Sequence, residues 1–190
     1  MEKTNYHHGN LRWELIQAGI QIIDEEGVEH LSLRKAAMMC GVSHAAPKNH
    51  FKDKEEFEEA IKEYIADEFT SYYEKVVEET EDPKLLIRNL GRAYIQFFQD
   101  NPQCFRLLIN QKDINIRMSA TAIEECNYKP FEIFRTQATA VMCKSGVPKE
   151  EIPQRIITLW AMVNGLAGMQ VMKGFHYEGD WMEMVNRIIY

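Results

Sequence analysis

The chain has 190 residues, 45% of them hydrophobic, enough to bury the core of one or two domains. No run of about 18 apolar residues occurs, which excludes a membrane-spanning helix, and 10 Gly and 6 Pro among abundant helix formers point to an all-α fold. The formal net charge of −7 at pH 7 argues against a chain that coats nucleic acid along its whole surface.

The first helix reads NLRWELIQAGIQIIDEEG, with Asn10 as N-cap and Gly27 as stop. Leu11, Leu15, Ala18 and Ile22 recur at helical spacing, with Ile16 and Ile23 alongside. A short second helix, SLRKAAMMCG, starts from Ser32 and ends at Gly41. The string GVSHAAPKNHF follows, a turn leading into a short third helix with Ser43 as its N-cap and Pro47 in its middle. A long helix is predicted from Lys54 to about Glu79, since Asp53 and Glu56 have capping-box spacing and Phe57, Ile61, Tyr64 and Ile65 form a stripe. Pro83 suits the first position of PKLLIRNLGRAYIQFFQ, and Pro102 begins PQCFRLLIN. A helix over about 118–145 is expected to stop at Gly146, kinked or split at Pro130. Glu150 to Lys173 reads as a long apolar helix, and Asp180 with Glu183 opens a last one running to Tyr190. The count is about nine helices.

The charge is unevenly placed along these elements. Residues 1–54 hold 7 Lys+Arg against 7 Asp+Glu, while residues 55–190 hold 15 against 22. Five of the six histidines also fall in the first stretch. A small N-terminal unit is thus able to present a basic face, provided Asp24, Glu25, Glu26 and Glu29 point elsewhere. Cys40, Cys104, Cys126 and Cys143 are widely spaced without a CxxC pair, as expected of reduced thiols in a cytoplasmic protein. MEKTNYHHGNLR has no apolar core, so no secretory signal is expected.

Two short helices joined by a tight turn, behind a longer supporting helix, make the helix-turn-helix plan. Ala37 and Gly41 are four apart, as that turn requires. Ala37 is small where the next helix crosses it, Gly41 supplies a positive φ, and Val42 fills the space between. Phe51 and Phe57 are the expected anchors to the long helix.

The stretch HHGNLRWELIQAGIQIIDEEGVEHLSLRKAAMMCGVSHAAPKNHFKDKEEF resembles the N-terminal domain of the TetR family of transcriptional repressors. LWAMVNGLAGM resembles the W-x3-H-G element of one TetR subgroup, with Asn164 in place of its His. The resemblance implies a helix-turn-helix DNA-binding domain over 1–53 and a helical ligand-binding and dimerisation domain over 54–190. It implies DNA contacts from Ser32, Arg34, Lys35, Ser43, His44, Ala45, Lys48, Asn49, His50 and Lys54. Pro47 then forfeits only the bond back to Ser43. It leaves a stiff turn, with Ala45 and Ala46 small where backbone nears DNA. Lys48 stands where the family commonly has a phosphate-touching Tyr, so a point charge replaces a fixed ring. Lys54 opens a helix, where free N–H groups favour a phosphate. Lys3, His7 and His8 form a possible flexible arm.

Such domains act as dimers because two recognition helices must reach grooves about 34 Å apart. The interface is expected on the last two helices, through Ile156, Ala161, Gly165, Gly168, Trp181, Val185 and Ile188. The small residues there would let a partner helix approach closely. An effector pocket is expected from Tyr94, Phe97, Phe98, Phe105, Phe131, Phe134, Met142, Trp160 and Asn164, aromatic and methionine-rich as adaptable apolar pockets are. Arg88, Arg92, Arg106 and Arg135 are candidates to meet an anionic ligand. The sequence shows no nucleophile–base arrangement, HExxH or phosphate loop, so neither an enzyme nor a cofactor or metal is expected. The function implied is a dimeric repressor that binds a palindromic operator and is released by a small, largely apolar effector. The alternative is a ligand-independent DNA-binding protein controlled by a protein partner.

Overall fold

Apolar residues at helical spacing need something to lie against, and in this chain they find it twice. The computed structural model describes residues 10–109, 115–118 and 123–189, which fall into two compact units, Met1–Ile65 and Ala66–Tyr190. Among the described residues there are eight α-helices, three short 3₁₀ turns and one small hairpin.

The first unit holds α1 (Leu11–Glu26), α2 (Leu33–Met39) and the beginning of α3 (Lys54–Glu79). α1 buries Leu15, Ile16, Ala18, Gly19, Ile22 and Ile23, the face its spacing predicts. Asn10 caps it only through its carbonyl, which accepts the Glu14 N–H at 3.0 Å, and not through its side chain. The Ser32 hydroxyl caps α2 by accepting the Lys35 N–H at 3.2 Å. Asp53 caps α3, its carboxylate accepting the Glu56 N–H at 2.9 Å, while Glu56 reaches back to the Lys52 N–H at 2.7 Å. Lys62 is buried between Glu59 and Glu58, at 2.7 and 3.0 Å. Burial alone would push its ammonium pKa down, but the two carboxylates outweigh that and the net shift is upward.

The second unit is built around α4 (Pro83–Asp100), which packs against α5 (Pro102–Ile109), α6 (Lys129–Lys144), α7 (Ile152–Gln170) and α8 (Trp181–Ile188). Its core is aromatic. The Phe69 ring lies 4.5 Å from Tyr73, 4.7 Å from Phe97, 5.2 Å from Phe98 and 5.4 Å from Tyr94. Asp82 caps α4 through the Lys84 N–H at 2.9 Å, and Asp180 caps α8 through Met182 at 2.7 Å and Glu183 at 3.2 Å. The boundary expected after residue 53 coincides with the start of α3, and the compact division falls further along the same helix, after Ile65.

Two expected helices are shorter than the sequence implies. The segment expected to be helical over about 118–145 begins instead with the antiparallel strands β1 (Ile116–Met118) and β2 (Ile123–Cys126), with Arg117 opposite Glu125. Pro130 does not kink a helix. It lies in the first turn of α6, where its missing N–H has no partner to lose. α7 begins at Ile152 behind a 3₁₀ turn, Lys149–Glu151, and ends at Gln170 rather than Lys173. Lys3, His7 and His8 lie outside the described residues.

α1 rests on α3 through a residue without a side chain. A methyl group on Gly19 would lie 2.5 Å from Ile61 Cδ1 and 2.8 Å from Phe57 Cζ, and both partners are fully buried. Gly19→Ala gains about 1 kcal/mol of helix propensity but overpacks this contact at a cost of about 1–3 kcal/mol. The expected net effect is destabilisation, read as a lower urea midpoint at unchanged slope.

Candidate nucleic-acid interface

The turn after α2 is set by Gly41, whose φ is +68°. The Val42 N–H reaches the Ala37 carbonyl at 3.0 Å and the Gly41 N–H reaches that of Met38 at 3.2 Å. This pair of bonds is the Schellman termination, and it favours glycine at the left-handed position. Ala37 beneath it is fully buried.

Past Ser43 the expected third helix does not form as an α-helix. The Ser43 carbonyl accepts the Ala46 N–H at 3.0 Å, and the Ala45 carbonyl accepts the Lys48 N–H at 3.2 Å. Both bonds span three residues, because Pro47 has no N–H to return to Ser43. The result is a 3₁₀ turn, Ala46–Asn49, with Ala45 and not Ser43 at its cap position. Ser43 therefore serves through its carbonyl, a correction to its expected side-chain capping role. This segment also accounts for eight α-helices where about nine were expected.

The inner side of this turn is fixed. Pro47 is buried, and the buried Phe51 ring lies 4.9 Å from that of Phe57. Ser43, His44, Ala45, Lys48 and Asn49 are consequently exposed, and His50 is half-buried. Arg34 and Lys54 are exposed, while Ser32 and Lys35 are partly covered.

The four predicted cations are not equivalent. Lys35 is ion-paired to Glu26, whose carboxyl is held below its ordinary pKa first by that hydrogen bond. Lys54 Nζ turns back toward the carbonyls of Val28 and Glu29, at 3.5 and 3.4 Å. Arg34 and Lys48 have no protein partner among the described residues. Two further cations escaped the sequence reading. The Arg12 guanidinium stands 5.3 Å from the Phe51 ring centroid, a cation–π contact that fixes it beside the turn. Lys52 is exposed where the turn enters α3. Arg12 was legible as a polar-face residue of α1, but its neighbour belongs to a distant part of the chain.

In the second unit, Tyr94, Phe98, Phe105, Trp160 and Asn164 line a cavity of about 160 Å³ together with Leu108, Ile116 and Tyr128. The Tyr94 hydroxyl donates to Asn164 Oδ1 at 2.9 Å, and Asn164 Nδ2 donates to the Trp160 carbonyl at 2.8 Å. Four residues expected in the pocket lie elsewhere. Phe131 and Phe134 back onto Trp160 at 4.9 and 5.6 Å, Phe97 packs on Phe69, and Met142 faces a separate groove with Val141 and Leu159. Leu108, Ile116 and Tyr128 were not foreseen; Ile116 lies in β1 and Tyr128 just after β2, in a hairpin that the sequence reading did not anticipate. The arginines do not line the cavity. Arg88 donates to the Ile189 carbonyl at 2.9 Å, Arg106 to that of Val171 at 2.5 Å, and Arg92 to Asn186 at 3.2 Å.

The residues expected at a dimer interface divide into two sets. Ala161, Gly165 and Ile188 are exposed, and nothing lies within 4 Å of a methyl placed on Gly165. Ile157 and Met169 extend this exposed face of α7. Ile156 and Val185 are instead fully buried within the protomer, and Gly168 faces Phe105, whose ring would meet an added methyl at 3.6 Å. Ile156 and Val185, on different helices, are corrected to interior positions, while Gly168 is half-buried against Phe105. Trp181 is half-buried against Tyr177, 4.9 Å away.

A family described as "Tetracyclin repressor-like, C-terminal domain" matches residues 87–189, more than half of the chain. The chain belongs to the TetR family. Among curated relatives, the nucleoid occlusion factor SlmA of Vibrio atlanticus is 31% identical over 100 residues, 52% of this chain and 51% of the relative. SlmA of Vibrio cholerae is 30% identical over the same length. The matched region spans about half the length of these relatives. Among solved structures, a protein of unknown function from Rhodococcus sp. RHA1 superimposes with a TM-score of 0.72 at 23% identity, covering 97% of this chain and 94% of its own. The regulator FadR of Bacillus subtilis, solved with stearoyl-CoA, gives 0.67 at 16% identity over 93% and 95%. At these identities the structural likeness is one of fold. No helix among the described residues is long and apolar enough to cross a membrane.

The pairing of Lys35 makes a graded prediction for this TetR-family head. Arg34→Ala and Lys48→Ala should each reduce the salt slope of duplex binding by about one, as loss of a phosphate contact does. Lys35→Ala should change it less, because Glu26 already neutralises that ammonium. Fluorescence anisotropy across a salt series measures all three.

Proposed function

We propose that the protein is a sequence-specific transcription regulator, a repressor, that binds a palindromic operator as a homodimer and is released by a small, largely apolar effector. The observation that carries this reading is the turn itself. Pro47 and Phe51 hold it from inside, so His44, Ala45, Lys48 and Asn49 face outward as one stiff surface. In this reading Arg34, Lys48, Lys54, Arg12 and the Ser32 hydroxyl position the head on phosphates, and His44, Asn49 and His50 reach base edges. Residues 1–53 are the DNA-binding part, and 54–190 bind ligand and dimerise.

The exposed α7 stripe of Ile157, Ala161, Gly165 and Met169 supports dimerisation through a close helix approach. Asn164 occupies the His position of a W-x3-H-G-like element, which supports placing the chain near that subgroup. Ligand in the Tyr94–Asn164 cavity shifts the population toward a conformer with lower operator affinity. α3, shared by both units, is the covalent path for that coupling. The second reading is a ligand-independent DNA-binding protein controlled by a protein partner.

Selection of bound duplexes from a random pool at stated salt, followed by sequencing, tests the main reading. An enriched palindrome with half-sites about 34 Å or a multiple apart is expected; a folded dimer that enriches no sequence contradicts it. Gly165→Arg should halve the sedimenting mass and abolish palindrome binding with the helical spectrum unchanged, since the position is open within the protomer. A dimer that survives this change places the interface elsewhere.

A further inference from the structure

We propose that the cavity of the second unit takes a neutral, single-ring aromatic molecule bearing one hydroxyl group, of the phenol class. The inference rests on the reading of this cavity as a ligand site. Size sets the first limit. At about 160 Å³ it matches the roughly 150 Å³ apolar cavity that admits benzene. Shape sets the second. The walls are the rings of Tyr94, Phe98, Phe105, Tyr128 and Trp160. They meet one another edge-on, with Tyr94 and Trp160 at 78° and 5.2 Å and Phe98 and Phe105 at 76° and 5.1 Å. A flat ring entering such a box finds both faces and edges to pack against.

Polarity sets the third limit. One end carries the Tyr94–Asn164 pair, and the rest is apolar save the Tyr128 hydroxyl and the Trp160 indole N–H. Asn164 already uses one N–H on the Trp160 carbonyl and its oxygen on Tyr94. What remains at that end is one amide N–H, together with acceptor capacity on the Tyr94 and Asn164 oxygens. A hydroxyl both accepts and donates, so it satisfies this remainder; a bare ring satisfies none of it.

Charge sets the fourth. Among the described residues none that lines the cavity is charged, and Arg88, Arg92 and Arg106 bond to groups outside it. Burial, reinforced by the Tyr128 phenol, pushes the Tyr94 phenol well above its ordinary pKa, and Tyr128 is raised by burial as well, so both remain neutral donors. A carboxylate entering here would lose its water without gaining a counter-ion.

The test uses the full chain and three probes of one ring size: phenol, benzene and benzoate. Calorimetry should show one phenol per chain, with benzene about tenfold weaker for the lost hydrogen bonds and benzoate about a hundredfold weaker or more. Tyr94→Phe and Asn164→Leu should bring phenol down to the benzene level while benzene binding persists, which shows the cavity intact. The ligand series on the unaltered chain decides the class even where a variant fails to fold. Benzoate binding tighter than phenol, phenol no tighter than benzene, or binding of none of the three overturns the proposal. Operator release, measured separately, isolates the underlying reading. Phenol that binds without releasing the selected duplex defeats the effector role and leaves the ligand class standing. Release by a charged ligand, without phenol binding, does the reverse.

Discussion

Phe51 ties the head together. Its buried ring lies against Phe57 on one side and under the Arg12 guanidinium on the other, so it joins the 3₁₀ turn to α3 and to the start of α1. The Phe51 N–H also returns to the Pro47 carbonyl at 2.9 Å, beside that of His50 at the same distance. Pro47 thus loses a donor but keeps an acceptor that closes the segment. A proline that would break a longer helix is tolerated here because only the bond to Ser43 is missing. The chain gains a short, stiff projection whose outer residues have no inward contact to compete with a ligand.

The electrostatic pattern follows from where the acids are fixed. Glu26 is held by Lys35, Glu56 by the Lys52 amide, and Glu58 and Glu59 by the buried Lys62 ammonium. Each bond fixes the direction of a carboxylate. The cost is that Lys35 is partly neutralised. A phosphate competing for it would have to displace a charge-assisted hydrogen bond, whereas one approaching Arg34 or Lys48 would meet no such competition.

Local chemistry was legible in the sequence and distant neighbours were not. Ser32, Asp53 and Asp180 announced their helices because a cap is decided within a few residues. Gly41 announced its turn for the same reason. Ala161 and Gly165, read as interface residues, are exposed in the protomer, but Ile156 and Val185, read as part of the same interface, are core. Helical spacing fixes which residues share a stripe, and only the fold decides which stripe faces inward. The hairpin was missed because Ile116–Met118 and Ile123–Cys126 are too short for a period-two signal. With it went Ile116 and Tyr128, two walls of the cavity. Four of the cavity's lining residues, Tyr94, Phe98, Phe105 and Trp160, had been expected from composition, since aromatics on α4, α5 and α7 converge wherever those helices pack.

Asn164 gives the cavity a property that the resembling His would not. An imidazole at this position would carry a charge change near pH 6.5, next to a tyrosine whose hydroxyl is already committed as a donor. The carboxamide does not titrate, and its oxygen accepts from Tyr94 while its amide donates to the Trp160 carbonyl. That second bond ties the side chain to its own helix one turn back and fixes the direction of the remaining N–H. The polar end of the cavity is therefore an oriented donor and acceptor pair in which the carboxamide carries no charge. A ligand of the proposed class would be read there by hydrogen-bond complementarity and ring shape, the two features that an aromatic box reads best.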